Sequence, residues 1–205
     1  MKLIKKLFMV LVLLCATQAF AEPEEGKDYQ LLNPAQPTHN VNKIEVLEFF
    51  FYGCSHCYNL NPLIGAWEKK LPKDVEFTYV PAIFNPTWEV SAHTFYALEA
   101  LGQRAQLHDE LFNAWHDNIE LVDEASTTDF LAKHGVDRKK FSDAYNSFAM
   151  QSKVVRAKQM EQIYGIRGTP TLIVDGKYLI TGLQPTDTMQ VLAALVDKAR
   201  KEHKH

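Results

Sequence analysis

The spacing of apolar and polar residues predicts a strand, a helix and a second strand in the first part of the chain. Lys43 to Tyr52 is almost continuously apolar, as expected of a strand that is buried on both faces. Helical spacing follows from Tyr58 to Lys70, and Val75 to Ile83 is a second strand pattern, whose far end Pro81 limits. The polar, proline-containing lead-in is expected to hold a short edge strand near Tyr29 to Leu32.

The period then changes to that of helices, which continue almost without interruption through residues 87–165. Gly102 and Gly135 are helix stops, and Ser126 to Asp129 resembles a capping box that would open a helix at Phe130. The predicted helices are Thr87 to Leu101, Ala105 to Asn118, Phe130 to His134, Asp137 to Ser147 and Phe148 to Tyr164. Nine aromatic side chains are expected to fill the core of this block rather than bind a ligand: Trp88, Phe95, Tyr96, Phe112, Trp115, Phe130, Phe141, Tyr145 and Phe148.

Strand spacing returns near the end of the chain. Thr169 to Val174 and Lys177 to Thr181 are apolar runs joined by Asp175-Gly176, which is a strong signal for a hairpin turn. Thr186 to Lys201 has the pattern of a last amphipathic helix. The order of elements is therefore strand, helix, strand, a block of helices, then a hairpin and a helix, which predicts a mixed α/β fold.

The first 21 residues are expected to be a secretory signal peptide. Three lysines precede the apolar run Leu7 to Leu14, and Ala19-Phe20-Ala21 fits a cleavage site, so we expect cleavage after Ala21. The apolar run is short for a membrane anchor. Lipidation of Cys15 is disfavoured because the bulky Leu14 precedes it.

Removal of this segment changes both the charge and the cysteine content. Three lysines and no acidic residue leave with it, so the formal net charge falls from −3 to about −6. A chain this acidic is not expected to carry the basic surface that nucleic-acid binding needs, which argues against that class of function. Cys54 and Cys57 remain as the only cysteines, in a chain exported to an oxidising compartment.

Cys54-Ser55-His56-Cys57 stands between the first predicted strand and the first predicted helix. If Cys54 opens that helix, Cys57 lies one turn along on the same face, within the reach of a disulfide. The free N–H groups and the positive dipole end of the helix favour a Cys54 thiolate, which is the reactive form. A disulfide between cysteines three residues apart closes a very short loop and therefore stabilises a fold little. A redox role is favoured over a structural one for this reason.

Residues near the motif allow more than one interpretation. His56 either stabilises the thiolate, which we favour, or is an exposed turn histidine, and the Ser55 hydroxyl either donates to sulfur or only occupies the turn. Pro170 follows Thr169 and suits a cis bond or an ordinary trans proline at a strand start. Glu48 lies in the apolar strand, where it faces solvent, pairs with a base, or is a buried carboxyl that moves protons or destabilises a nearby anion.

Together these features resemble the thioredoxin fold with an inserted helical subdomain, as in the DsbA family of periplasmic thiol:disulfide oxidoreductases. Three segments carry the likeness: VLEFFFYGCSHCYNLNP (46–62), the block from about 86 to 165, and GTPTLIVDGKY (168–178). The resemblance implies a thioredoxin-like domain built from residues 22–85 and 166–205, interrupted by the helical subdomain 86–165. It also implies that Cys54 is the exposed nucleophile and Cys57 its buried partner. Thr169-Pro170 would form a cis-proline loop that faces the disulfide, and Glu48 would be the acidic residue beneath the active site.

Two positions depart from the pattern of that family. Ser55 stands where the best-known members have proline, which bears on redox strength. No lysine occupies the position expected for a partner of Glu48 on the second strand, where this chain has Tyr79.

The activity implied by the resemblance is that of a periplasmic dithiol oxidase. It would donate the Cys54–Cys57 disulfide to reduced or unfolded secreted proteins through a mixed disulfide, as a monomer and with no cofactor beyond this disulfide. A quinone-linked membrane oxidase of the DsbB type would reoxidise the pair. The residues assigned to catalysis are Cys54, Cys57, His56 and Pro170, supported by Ser55, Thr169 and Glu48.

Three alternatives stay open at this point. The first is a reductase or isomerase of the same fold, although isomerases tend to carry an extra dimerisation region. The second is a metal-binding module that uses Cys54, His56 and Cys57, for which no further ligand pair completes a tetrahedral site. The third is a non-catalytic chaperone. The remaining mature histidines show no paired metal spacing and are interpreted as surface or core residues: His39, His93, His108, His116, His134, His203 and His205.

Overall fold

A five-stranded mixed sheet and seven helices make up residues 22–203, which are the residues that this computed structural model describes. The strands are β1 Gln30–Leu31, β2 Ile44–Phe50, β3 Val75–Pro81, β4 Thr171–Val174 and β5 Tyr178–Thr181. The helices are α1 Ser55–Glu68, α2 Pro86–Ala100, α3 Arg104–His116, α4 Glu124–Lys133, α5 Arg138–Tyr145, α6 Phe148–Tyr164 and α7 Pro185–Glu202. The predicted signal peptide, with cleavage after Ala21, and His205 lie outside the described residues.

Strand β2 holds a central place in the sheet, whose strand order is β1-β5-β4-β2-β3. It runs parallel to β3 and antiparallel to β4, and β4 continues through the Asp175-Gly176 turn into β5. Both turn residues have positive φ, as the predicted tight hairpin requires. Within residues 22–203, no helix combines the length and the apolar character needed to cross a bilayer.

The two faces of β2 enter two different packed layers, which explains its continuous apolar sequence. Val46 and Phe50 pack with the buried residues of α1, α7 and the helical block. Leu47 and Phe49 point to the opposite face and pack against α6. Because side chains alternate along a strand, Glu48 shares the face of Val46 and Phe50, beneath helix α1.

Helix α4 begins earlier than the sequence predicts. Asp123 is its N-cap: the Asp123 carboxylate accepts a hydrogen bond from the backbone N–H of Ser126 at 2.7 Å, and the Ser126 hydroxyl accepts one from the N–H of Asp123 at 3.3 Å. The prediction of a helix start at Phe130 was therefore wrong. Asp is as good an N-cap as Ser, and the capping box uses Ser126 as its third helical residue rather than its first.

The aromatic residues of the helical block are divided between core and surface. Phe95, Phe112 and Phe141 are fully buried, as predicted. Phe148 is 86% exposed, so its assignment to the core was wrong. The buried face of α6 includes Met150 and Val154, and Phe148, two positions before Met150, points away from that face.

Candidate active site

Cys54 is the N-cap of α1, directly after the turn that leaves β2. Its sulfur accepts a hydrogen bond from the backbone N–H of Cys57 at 3.4 Å. Cys54 is partly exposed, Cys57 is fully buried one turn further along, and both are free thiols in this structure. The sequence pattern thus puts one accessible and one inaccessible sulfur at the positive end of a helix.

The two thiols have opposite acidities. The pKa of Cys54 is lowered to about 5, chiefly because Cys57 donates a hydrogen bond to its sulfur, with further help from the backbone N–H groups of Cys57 and His56; partial burial opposes these effects. Burial raises the pKa of Cys57 well above its usual range, and the neighbouring Cys54 and Glu48 add to this. Cys54 is therefore a thiolate at neutral pH while Cys57 keeps its proton.

The loop before β4 closes over the other side of the Cys54 sulfur. The Thr169–Pro170 peptide bond is cis, as the resemblance implies. The Thr169 carbonyl oxygen lies 3.3 Å from Cys54 Sγ, where it can accept a hydrogen bond from the thiol. Loop and helix, which are far apart in sequence, therefore meet at the reactive atom.

The two residues between the cysteines lie on the surface. The side chains of Ser55 and His56 are both exposed at the first turn of α1. The His56 contribution to the acidity of Cys54 comes through its backbone N–H. Their position leaves both side chains accessible to a substrate that approaches the sulfur.

Glu48 lies in a buried, apolar setting beneath the cysteines. It is 2% exposed, and its Oε2 has no hydrogen-bond partner among the described residues. Burial raises its pKa to about 8, and the negative charges of Cys54 and Glu68 add to the shift. Of the alternatives drawn from the sequence, the structure supports the buried carboxyl, which is largely protonated at neutral pH.

Tyr79 occupies the strand position opposite Glu48, as the sequence comparison with the family indicates. Its hydroxyl donates to Glu68 at 3.4 Å, and Arg104 lies over its ring, 5.0 Å from the centroid. Arg104 also forms an ion pair with Glu68 at 3.3 Å. Arg104 therefore pairs with Glu68 rather than with Glu48.

The helical block brings Trp115 and His116 to the active site, which the sequence analysis missed. With Tyr58 they line the same small pocket as Cys54. The sequence predicts Trp115 in the core of the helical block and His116 as a surface or core residue. The sequence does place both residues near the end of a predicted helix, where side chains can reach a neighbouring loop. No local pattern indicates which loop that end of the helix approaches.

Two of the other histidines make contacts in the interior of the protein. His93 and His108 are buried, and their Nδ1 atoms contact the Tyr145 carbonyl at 3.2 Å and the Tyr52 hydroxyl at 2.9 Å. Throughout residues 22–203, no group of three or more His, Cys, Asp or Glu side chains is placed to hold a metal ion.

Comparison with protein families gives a match that includes this site. Residues 45–193 match the family described as DSBA-like thioredoxin domain. The chain is 38% identical over 179 residues to a thiol:disulfide interchange protein DsbA of Pseudomonas aeruginosa, with 85% of each chain covered. It is 40% identical to a protein of the same name from Burkholderia cepacia, with 86% of this chain and 84% of the relative covered.

Solved structures show the same similarity in three dimensions. The crystal structure of Pseudomonas aeruginosa DsbA superposes with a TM-score of 0.85 at 37% identity, over 89% of this chain and 97% of that one. The oxidoreductase DsbA from Xylella fastidiosa gives a TM-score of 0.82 at 31% identity, over 88% and 99% of the two chains.

Proposed function

Because this chain belongs to the family of DSBA-like thioredoxin domains and is a thiol:disulfide oxidoreductase, we propose that Cys54 and Cys57 form the disulfide that it donates to newly secreted proteins. The observation that carries this assignment is the contrast between the two sulfurs. Cys54 is accessible and its pKa is lowered to about 5, whereas Cys57 is buried with a raised pKa.

The transfer takes place in two exchanges at sulfur. A substrate thiolate attacks Cys54 Sγ, the Cys54–Cys57 bond breaks, its electron pair goes to Cys57, and Cys57 takes up a proton. A second substrate thiolate then attacks the substrate sulfur of the mixed disulfide and releases Cys54 as a thiolate. The substrate loses two electrons and the enzyme gains them. The low pKa of Cys54 makes it a good leaving group and stabilises the reduced enzyme, so the disulfide is oxidising.

Glu48 is proposed to supply the proton that Cys57 needs. It is protonated at neutral pH and lies close enough to Cys57 to affect its pKa. Loss of the proton would leave a carboxylate in an apolar setting, which favours prompt reprotonation from solvent.

Thr169 and Pro170 are proposed to hold the substrate backbone beside the sulfur. The Thr169 carbonyl is already within hydrogen-bond distance of Cys54 Sγ. An extended peptide that pairs with this loop would add a strand at the site, so that main-chain hydrogen bonds rather than particular side chains give affinity. His56, exposed next to Cys54, is proposed to stabilise the thiolate, and the Ser55 hydroxyl is proposed either to donate to the sulfur or only to occupy the turn.

The cellular setting is part of the same proposal. The predicted signal peptide, cleaved after Ala21, would direct the chain to the periplasm. The protein would act there as a monomer. Residues 22–85 and 166–205 would form its thioredoxin-like domain, and residues 86–165 would form the inserted helical subdomain. A quinone-linked membrane oxidase of the DsbB type would restore the disulfide, and no other cofactor is needed.

The decisive test is the equilibrium of the mature protein with a glutathione redox buffer, followed by thiol trapping. An oxidase stays reduced until the buffer is strongly oxidising, and a pair that is already oxidised in reducing buffer would contradict the proposal. Cys54→Ser should abolish oxidation of a reduced substrate protein. If Cys54→Ser keeps full function, the protein is a chaperone rather than an oxidase.

A further inference from the structure

A pocket of about 200 Å³ borders Cys54, and Thr169 is not among the residues that line it. We propose that this pocket, formed by Tyr58, Trp115 and His116, is a specificity subsite that binds an aromatic side chain close to the reacting cysteine of the substrate. The inference rests on the proposed function, because the occupant is part of the chain that forms the mixed disulfide with Cys54.

The end of helix α3 builds one wall of this pocket. Asn118 adopts the left-handed conformation at φ 58°, and its N–H donates to the Trp115 carbonyl at 3.2 Å, which ends the helix. Asn tolerates this conformation better than most residues. The helix therefore stops where Trp115 and His116 reach Cys54, and Asn118 itself lines the pocket.

The rings in the pocket are held by other rings. His116 lies parallel to Tyr58, with centroids 4.2 Å apart and an angle of 1° between the planes. Trp115 packs on Phe51 at 5.1 Å and 63°. Because these contacts fix the rings before a substrate arrives, binding would require little side-chain ordering.

Gly53 permits the close approach of Trp115 to the active-site turn. A Cβ atom at this position would lie 2.9 Å from a ring carbon of Trp115 and 2.5 Å from one of Phe51. The residue directly before the nucleophile therefore leaves room for a tryptophan ring, which lines the same pocket as Cys54.

The composition of the pocket favours an aromatic occupant over a charged one. Its lining residues carry no carboxylate, ammonium or guanidinium group, and in the oxidised protein that meets the substrate Cys54 is held in the disulfide and carries no charge. Ser55 and Asn118 offer polar groups near the rings. Aromatic rings prefer stacked or edge-to-face partners. An extended peptide repeats its side-chain direction every second residue, so a residue two positions from the substrate cysteine points towards the same surface, about 7 Å away.

The test compares oxidation of two matched dithiol peptides by the oxidised mature protein. The two peptides of a pair differ only at one position, which is tryptophan in one and alanine in the other. In one pair this position lies two residues before a cysteine, and in a second pair it lies two residues after it. We expect kcat/KM to be about tenfold higher for a tryptophan peptide. Trp115→Ala and the exposed-site variant His116→Ala should each reduce this ratio towards one. Trp67→Ala and His134→Ala are the controls, since Trp67 packs on Phe77 and His134 stacks on Phe130, away from the pocket lining.

The outcomes separate this inference from the function on which it rests. Failure to oxidise either peptide would overturn both. Equal oxidation of all peptides by the unchanged protein would overturn the subsite and leave the oxidase intact, as would a ratio that survives both pocket variants. The glutathione equilibrium of each variant is measured in parallel, because a shifted redox potential would change the rates of both peptides equally and leave their ratio untouched.

Discussion

Glu48 lies directly opposite Tyr79 across the parallel strands β2 and β3, yet the Tyr79 hydroxyl donates to Glu68 instead. The Glu48 Oε2 atom has no hydrogen-bond partner among the described residues. A carboxyl that is buried without a cation or a donor is favoured in its neutral form. Burial raises the pKa of Glu48 and so makes this carboxyl a source of pH-dependent stability, and its proposed role is to supply a proton to Cys57.

Replacing Glu48 with glutamine should remove part of the pH dependence of folding. The unfolded carboxyl ionises near pH 4.5 and the folded one near 8, so the folded reduced protein binds more protons within this window. Its free energy of unfolding therefore falls as pH rises from 4.5 to 8, by a few kcal/mol. Glu48→Gln should flatten this slope in urea unfolding of the reduced protein, and Glu76→Gln, at a more accessible position of β3, should retain it. An unchanged slope in Glu48→Gln would contradict the assignment.

Introducing lysine at position 79 should supply the cation that Glu48 lacks. Tyr79→Lys would put an ammonium group opposite the carboxyl and lower the Glu48 pKa by about one to three units. The titration can be followed by the infrared band of the protonated carboxyl. Tyr79→Phe is the matched control, because it removes only the hydroxyl that binds Glu68 and leaves the pKa of Glu48 raised. A Glu48 titration that Tyr79→Lys does not move would show that another group determines it.

His56→Ala should make the enzyme less oxidising. Thiolate absorbance of the reduced protein should titrate with a midpoint near pH 5, so the stabilisation of the thiolate is lost as pH falls through that value. Without the imidazole the Cys54 pKa should rise, and each unit lowers the redox potential by about 30 mV. His39→Ala, at an exposed position in the lead-in before β2, should leave both quantities unchanged. Identical titrations of His56→Ala and the parent protein would limit His56 to its backbone contribution.

Gly53→Ala should destabilise the protein and disturb Trp115. The added Cβ would meet ring carbons of Phe51 and Trp115 at 2.5 and 2.9 Å, so both rings must move, at a cost of about 1–3 kcal/mol. Unfolding by denaturant measures the loss, and tryptophan fluorescence reports the displaced ring. Gly65→Ala, inside α1 where a Cβ meets no atom within 4 Å, should instead stabilise the helix by about 0.5–1 kcal/mol. A Gly53→Ala protein as stable as the parent would show that the rings adapt freely.

His203→Ala should loosen the end of α7. The carboxylate of Asp175 is buried in the β4–β5 turn, where it contacts His203 Nε2 at 2.9 Å and Lys177 Nζ at 3.0 Å. Removing the histidine leaves a buried oxygen without this partner, which costs about 1–3 kcal/mol. Asp175→Asn and the double variant complete a mutant cycle in urea unfolding. A coupling energy of zero would show that the contact adds nothing.

Much of the active site could be predicted from the sequence because its determinants are local. A continuous apolar strand, a helix start and two cysteines three apart place Cys54 at a helix N-terminus and Cys57 one turn along. The Asp175-Gly176 hairpin was equally evident, since its positive φ values demand particular residues. The resemblance to the family added two predictions, the cis bond before Pro170 and the position of Tyr79 opposite Glu48 on the neighbouring strand.

The local sequence pattern did not predict the start of helix α4 or the exposure of Phe148, because more than one structure fits the pattern at each place. Both Asp123 and Ser126 can cap a helix, and in the structure Asp123 is the N-cap. Phe148 has the composition of a core residue, but the buried face of α6 turns it outwards.

The sequence by itself determined the fold class and the position of the two cysteines at a helix start, where a Cys54 thiolate is favoured. The reason is that the strand, the helix start and the cysteine spacing are each specified by a few neighbouring residues. Only the tertiary structure decided what surrounds that pair. Trp115 and His116 reach Cys54 from a helix about sixty residues away, and Glu48 stays protonated because the packed elements bury its carboxyl. Such contacts depend on how complete elements pack against one another, which hydrophobic spacing along the chain does not encode.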